Sequence, residues 1–170
     1  MNVLEAIQTR RSIRRFMKKP IEKEKLTRIL ESARLSPSAN NNQPWHFILI
    51  TEKKAKENLF PAYPRNWFVE APAIIAVCIK PNDGWSRQDG EKYWKLDAAI
   101  AMQSIMLTSH DFGIGSCCIA AFDEKKAKKV LEIPNNTRLI ALICLGYPIE
   151  KKDPVTDRKK LEEIVHYQHW

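Results

Sequence analysis

Three short apolar runs set the strongest limits on how this chain can fold. They read WHFILI, AIIAVCI and RLIALICLG, and they begin at positions 45, 73 and 138 of 170. A helix that spans a bilayer needs about 20 apolar residues, so none of these runs is long enough to be one. Continuous apolar runs of this length are typical of buried strands. We therefore predict three core strands and a further extended segment at SCCIAAF, positions 116–122.

Helical patterns occupy much of the chain between the strands. VLEAIQTRR predicts a first helix at 3–11, with Val3, Leu4 and Ile7 on one face. PIEKEKLTRILESARLS predicts a second helix that ends before Pro37. A short helical turn is also expected near the C-terminus, after an extended segment that contains two prolines.

The longest predicted helix runs from Tyr93 to Phe112 and ends at Gly113. Its apolar residues cover almost every face, which indicates burial in the core or in a subunit interface. Thr51 and Asp123 are the expected N-caps of two shorter, charged helices. Because no linker, repeat or low-complexity tract interrupts the pattern, we predict one α+β domain.

The charge of the chain favours an anionic partner. The formal net charge is +8 and the pI is near 9.4. Lysine-rich helix faces account for most of the excess, but not for the segment RRSIRR at 10–15. Nucleic acid, a membrane surface and a small phosphate-bearing ligand could each neutralise these arginines. The aromatic residues are scattered through core-like segments and do not interleave with the arginines, which argues against nucleic acid.

The cellular compartment is predicted from what the sequence lacks. The N-terminal residues show no basic region followed by an apolar run, so we expect a cytoplasmic protein. The four cysteines have no metal-ligand spacing, and two of them lie in the apolar strands. We therefore expect reduced thiols, no metal site and no membrane partner.

Three segments carry candidate binding chemistry. Arginine guanidiniums suit phosphate oxygens. The alternative is that the arginines favour the dipole at a helix C-terminus, but this accounts for only one or two of the four in RRSIRR. The amide-rich SPSANNNQPWHF suits the edge of a heterocycle or a sugar, or is an ordinary turn. The small residues of GIGSCCIAAFD let backbone N–H groups approach a flat ligand, or belong to a bulged core strand.

Together these segments resemble the nitroreductase family of flavin-dependent oxidoreductases in its short form. The family pattern is RRSxRxF, then PSAxNxQPWxF, then a helix of the DAAIAMQSIML type leading into GIGSC. An LGYP strand end and a basic RKxLEEIVHY tail complete it. Every block is present here, in order, across essentially the whole chain.

The resemblance implies a fold and an assembly. The fold is a central, mainly antiparallel sheet flanked by helices in a single domain at 1–170. Two copies form an intertwined homodimer, and the tail at about 148–170 extends onto the partner subunit. Each dimer holds two FMN molecules at the subunit interface.

The resemblance also implies site residues. The phosphate and the ribityl chain are assigned to Arg10, Ser12 and Arg14, with Arg11 adjacent. The loop that reaches the flavin of the partner subunit contains Pro37, Ser38, Ala39 and Asn41. The stretch whose backbone faces flavin N5 contains Cys118, Ile119, Ala120 and Ala121. Tail residues assigned to the same phosphate are Arg158 and Lys159, with Lys160 as a further candidate. Arg65 and Asn66 are candidates for the flavin pyrimidine edge.

The implied reaction is hydride transfer from NADH or NADPH, then reduction of a nitroaromatic, a quinone or a similar small-molecule acceptor in a ping-pong cycle. Flavin N5 carries the chemistry, and the backbone near Ala120 assists. No catalytic side chain is expected, because Ala120 stands where some relatives carry Glu or Gly, and the two alanines there offer a backbone donor but no acid. Reductive dehalogenation, flavin fragmentation, substrate dehydrogenation and non-catalytic flavin binding or redox sensing remain as alternatives. The choice between NADH and NADPH and the physiological acceptor stay open.

Overall fold

Four strands form one antiparallel sheet in the computed structural model, which describes all 170 residues. The strands are β1 (Trp45–Ile50), β2 (Ala73–Ile79), β3 (Gly115–Ile119) and β4 (Arg138–Gly146). Their spatial order is β1-β2-β4-β3, and every neighbouring pair is antiparallel. The strands predicted from the sequence are confirmed, and so is the antiparallel character of the sheet.

Six α-helices flank this sheet on both faces. They are α1 (Val3–Thr9), α2 (Lys23–Arg34), α3 (Lys53–Asn58), α4 (Asn66–Val69), α5 (Trp94–Asp111) and α6 (Glu124–Val130). Residues of α2 and α5 join one buried apolar cluster, and residues of α3, α4 and α6 join a second on the other face. Strand β2 lies between the two clusters and is buried at every position, which explains why it reads as a continuous apolar run.

The first helix differs from its prediction in length and in orientation. It ends at Thr9, because Arg10 turns to φ −59° and ψ 131° and leaves the helical region. The apolar face of Val3, Leu4 and Ile7 is exposed, and Ala6 is the buried residue. The arginines therefore follow the helix in extended chain and do not form its last turn.

The two predicted N-caps have different outcomes. The Asp123 side chain accepts a hydrogen bond from the Lys126 N–H at 3.0 Å, which confirms it as the cap of α6. Thr51 was the wrong residue for α3, because the chain enters that helix at Glu52, which has extended φ and ψ. No side chain caps α3.

Helix α5 is both a core element and a surface element. Ala98, Ala101 and Ile105 are fully buried against the sheet and α2. Leu96 and Ile100 on the opposite side are 49% and 40% exposed. Gly113 follows the helix with φ +70°, which confirms the predicted helix end. The apolar character around the helix therefore exceeds what a single chain buries.

The C-terminal tail runs over the surface without joining the sheet. Residues 151–160 form no helix or strand, and a short 3₁₀ turn follows at Leu161–Glu163. Leu161, Tyr167 and Trp170 are exposed. None of the helices has the length and apolar character that crossing a membrane would require.

Candidate functional site

The arginine segment, residues 10–15, lies along the free edge of the sheet beside β3. Ser12 forms a parallel bridge with Ser116, and the Ile13 N–H donates to the Ser116 carbonyl at 2.9 Å. Farther on, the Met17 N–H donates to the Tyr147 carbonyl at 2.8 Å. The segment thus covers an edge that would otherwise present unpaired backbone groups.

Two glycines allow this close approach. A Cβ at Gly115 would stand 2.8 Å from Cγ1 and 2.9 Å from Cβ of Ile13. A Cβ at Gly146 would stand 2.8 Å from the Phe16 ring and 2.6 Å from Pro72. Because Ile13 and Phe16 flank Arg14 and Arg15, these two contacts fix where the arginines lie.

An extended segment directs successive side chains to opposite sides, so Arg10, Ser12 and Arg14 share one side. Ile13, on the other side, is buried. Arg15 lies on the same side as Ile13 and pairs with Glu150 at 3.6 Å. The Arg14 guanidinium lies 5.9 Å from the centre of the Trp67 ring on α4.

The other arginines of the segment have no carboxylate partner. Arg10, Arg11 and Arg14 form no ion pair within 4.0 Å, whereas Arg34, Arg87 and Arg138 each pair with an acid. Lys152 from the tail adds a further cation, whose ammonium donates to the Ser12 carbonyl at 3.3 Å and also pairs with Glu150 at 3.5 Å. Three unpaired guanidiniums on one edge form a natural site for an anion.

The charges of these cations affect the pKa of the Cys117 thiol on β3. Burial raises the pKa of Cys117, and the charges of Arg14, Lys152 and Arg10 act in the opposite direction. The three cations are therefore close enough to act on the same atom of β3. The Ser116 hydroxyl next to it is buried and has no hydrogen-bond partner.

A cavity of about 510 Å³ opens between the arginine segment, α1, the end of α5 and the start of the tail. Its wall combines four basic residues with three acids: Arg10, Arg11, Lys151 and Lys152, and Glu5, Glu150 and Asp153. Thr9 and His110 close one side through a hydrogen bond of 2.8 Å. The basic residues outnumber the acids, and together with the unpartnered Ser116 hydroxyl at this edge they suit a ligand that carries a phosphate.

The amide-rich loop at 36–43 has an unusual backbone. Asn40, Asn41 and Gln43 have φ of 54°, 54° and 49°, in the left-handed region that asparagine tolerates better than most residues. The Ser38 side chain holds the turn by accepting a hydrogen bond from the Gln43 N–H at 2.9 Å. Left-handed residues of this kind cost about 1–3 kcal/mol each and concentrate at functional sites.

Two contacts fix this loop to α5. The hydroxyls of Ser36 and Ser104 are 2.7 Å apart, and the Ala39 N–H donates to Asp97 Oδ1 at 2.9 Å. The side chains of Asn40, Asn41 and Gln43 remain exposed. The loop therefore presents its amide groups outward from a rigid helix, and no hydrogen bond joins it to the arginine segment of the same chain.

The small-residue stretch, residues 118–121, leaves the sheet at the end of β3. Ile119 is buried in β3, Cys118 is half-buried against the α5 side of the core, and Ala120 and Ala121 are exposed beyond the strand. Burial raises the pKa of the Cys118 thiol, so this thiol is protonated at neutral pH and is a poor nucleophile. The exposed backbone at Ala120 and Ala121 can approach a flat ligand.

The tail residues Arg158 and Lys159 do not join the other candidates in the single chain. Both are exposed, and neither forms an ion pair or a side-chain hydrogen bond. Lys152 is the tail cation that the structure brings to the arginine segment, and the sequence prediction missed it. A run of four lysines and one arginine between 151 and 160 gives no pattern that would have singled it out.

The candidates for the flavin pyrimidine edge lie near the arginine segment. Arg65 precedes α4, and Asn66 is its first residue. Both are exposed, and they immediately precede Trp67, whose ring Arg14 contacts.

Comparison with known proteins gives one consistent result. The sequence profile described as Nitroreductase family matches residues 7–73 and 61–147. A protein of Methanothermobacter thermautotrophicus, provisionally named NADH dehydrogenase/NAD(P)H nitroreductase, is 31% identical over 175 residues, covering 100% of this chain and 88% of the relative.

Solved structures extend the similarity to the fold. A nitroreductase family protein from Clostridium difficile superposes with a TM-score of 0.92 at 30% identity, and the match covers 100% of both chains. A second protein from that organism, named an FMN-dependent nitroreductase, has a TM-score of 0.86 at 28% identity, covering 99% of this chain and 100% of the other.

Proposed function

The chain belongs to the nitroreductase family of oxidoreductases, and from that premise we propose that it binds FMN and passes reducing equivalents from NAD(P)H to nitroaromatic, quinone or similar acceptors in a ping-pong cycle. A structural relative is named an FMN-dependent nitroreductase, which supports this cofactor. When bound, the flavin supplies the hydride chemistry, and the chain supplies position and electrostatics.

One observation carries the proposal: the guanidiniums of Arg10 and Arg14 lie on one side of an extended segment and have no carboxylate partner. We assign them, together with Ser12, to the FMN phosphate and ribityl chain, with Arg11 adjacent. The Lys152 ammonium lies beside the same segment, where it donates to the Ser12 carbonyl and pairs with Glu150 at 3.5 Å. A phosphate accepts several charge-assisted hydrogen bonds from such groups.

The chain's other contributions are orientation and hydrogen bonding. The backbone around Cys118, Ile119, Ala120 and Ala121 would face the ring of a bound flavin, and its N–H groups would stabilise negative charge there. This stretch holds no ionisable side chain except a protonated thiol, so the proton required for acceptor reduction comes from water.

We further propose that two copies of this single domain form the working unit. Leu96 and Ile100 on α5 are substantially exposed, as are the apolar face of α1 and the apolar side chains of the tail. A second copy would bury these surfaces and would receive the tail at 148–170. In that arrangement Pro37, Ser38, Ala39 and Asn41 reach the partner's flavin, and Arg158 and Lys159 come to its phosphate.

The visible spectrum of the purified protein tests the proposed function. We expect absorbance of bound flavin after incubation with FMN, and bleaching when NADH or NADPH is added anaerobically. A colourless protein that takes up no FMN would refute the proposal. Bound flavin that neither nucleotide reduces would refute the redox activity and favour a flavin-binding protein.

The arginine assignment has its own test. Arg10→Ala combined with Arg14→Ala should weaken FMN binding by at least about 100-fold, because each charge-assisted hydrogen bond contributes about 1.5–3 kcal/mol. Arg34→Ala is the matched control, since Arg34 is an exposed arginine of α2 that pairs only with Glu31. Equal FMN dissociation constants in the double variant and the control would contradict the assignment.

A further inference from the structure

Asp97 is a buried carboxylate for which the proposed chemistry has no role. It is 1% exposed, and it is the only acidic residue among the buried residues of the chain. An acid in the first turn of a helix is favoured by the helix dipole, which would explain an exposed Asp97 on α5. It does not explain a buried one, because removing a carboxylate from water is costly unless it is paired.

The two oxygens of Asp97 have different surroundings. Oδ1 accepts a hydrogen bond from the Ala39 N–H at 2.9 Å, across 58 residues of sequence. Oδ2 is buried and has no partner, and no cation lies within 4.0 Å of the carboxylate. A stabilising role alone would be better served by a fully hydrogen-bonded group or an apolar residue.

The next backbone N–H of the loop is also without a partner. The Asn40 N–H, which follows the Ala39 N–H in the loop, makes no hydrogen bond within the chain. Asn40 and Asn41 are the left-handed residues of the loop, and Asn41 donates its own N–H to the Ser38 carbonyl at 2.9 Å. One carboxylate can accept from two successive backbone N–H groups.

We propose that Asp97 is a positioning residue for the flavin site. Its Oδ1 fixes Ala39 on α5, and its Oδ2 accepts the Asn40 N–H when the loop closes on the flavin of the partner subunit. This inference rests on the proposed function, because the loop is assigned to that flavin. The residue touches neither flavin nor substrate and acts only through the conformation of residues 39–41.

The two oxygens can be tested separately by substitution. Asp97→Asn keeps an oxygen for the Ala39 N–H but replaces the second oxygen with a donor, which cannot accept from Asn40. Asp97→Ala removes both acceptors. Glu57→Gln on α3 is the control for loss of one negative charge, because Glu57 is exposed and remote from the loop.

Three readouts distinguish positioning from simple stability: the FMN dissociation constant, the circular dichroism of the bound flavin, and the thermal midpoint. We expect Asp97→Asn to keep a near-normal midpoint, to raise the dissociation constant about tenfold and to change the flavin signal. Asp97→Ala should raise the dissociation constant further, and hydrogen exchange at the Ala39 amide should become faster. The Glu57→Gln control should match the unmodified protein.

The possible failures are separable. If the unmodified chain takes up no FMN, the proposed function is wrong. If it binds FMN and Asp97→Asn binds equally well with an unchanged flavin signal, the positioning role is wrong while the proposed function stands. A lower midpoint in Asp97→Asn with unchanged FMN affinity would also overturn the role, because it would show that the carboxylate serves folding alone.

Discussion

Replacing Gly115 with alanine should displace the arginine segment. The new Cβ would stand 2.8 Å from Ile13 Cγ1 and 2.9 Å from Ile13 Cβ, whereas unstrained carbon contacts begin at about 3.5 Å. A change of rotamer can move Cγ1 but cannot move Cβ. The backbone at Ile13 must therefore shift outward by about 0.6 Å.

This shift has a cost that can be estimated. Overpacking of this kind destabilises by about 1–3 kcal/mol. Moving Ile13 outward also stretches its hydrogen bond to the Ser116 carbonyl, now 2.9 Å, to about the limit of a useful bond, which adds about 1 kcal/mol. For a domain of this size the sum, about 2–4 kcal/mol, lowers Tm by roughly 4–16 °C. FMN binding should weaken about tenfold, because Arg14 moves with Ile13.

The assay pairs thermal unfolding with an FMN titration. Gly84→Ala is the matched control, since its Cβ would meet Trp94 Cβ at the same 2.8 Å but away from the arginines. The control should lose stability and keep its FMN affinity. A Gly115→Ala protein with unchanged Tm and unchanged FMN affinity would refute the idea that this contact positions the arginines.

Three further predictions concern groups outside the site. The Tyr147 hydroxyl lowers the pKa of Glu22 from its ordinary 4.5 to about 2, so the stabilisation by ionised Glu22 is complete above pH 4.5 and is lost as the pH falls through about 2. The difference in Tm between the unmodified protein and Glu22→Gln should therefore shrink over that pH interval, and a constant difference would contradict this. Asp123→Ala should lower Tm by about 2–4 °C because the N-cap of α6 is lost, whereas Asp123→Asn should retain most of the stability that the cap provides. Equal decreases in Tm for the two variants would rule out the cap as the cause. Burial raises the pKa of Cys78 to about 11 and also raises the pKa values of the other three thiols. A thiol reagent should therefore react slowly with the native protein and should label all four cysteines once the protein is unfolded, whereas rapid labelling of the native protein would contradict their burial.

The strands could be predicted because buried strands consist mainly of apolar residues. AIIAVCI is apolar at every position because helices cover both faces of β2. The outcome for α1 was different, because amphipathic spacing shows that residues share a face but not that the same chain covers it. Val3, Leu4 and Ile7 share a face that lies open in the single chain.

The placement of the arginine segment depends on residues distant in sequence. Its position beside β3 follows from Gly115 and Gly146, which leave room for Ile13 and Phe16, and no periodicity in RRSIRR encodes that. The same limit applies to Lys152. Its proximity to Ser12 is a tertiary contact across 140 residues, so the sequence alone could not favour it over its neighbouring lysines.

Asp97 shows a third kind of limit. It stands in the DAAIAMQSIML block, where the sequence pattern indicated only a buried helix. A charged residue on a buried face contradicts the local pattern, and such contradictions concentrate at functional sites. The burial of Asp97 and its contact with Ala39 became visible only with the loop packed on α5.

The most direct test of the central claim, an FMN site shared by two copies of the chain, is a mixed dimer. One chain carries Arg10→Ala and Arg14→Ala, and the other carries Ser38→Ala and Asn41→Gly; Gly tolerates the left-handed backbone of Asn41. The two chains are expressed together with different tags, and the heterodimer is isolated by successive affinity steps. Either variant alone should bind FMN weakly, whereas the heterodimer, with one intact site, should bind about one FMN at near-normal affinity. A heterodimer that binds no better than the two variants alone, or a monomer that binds FMN fully, would contradict the account.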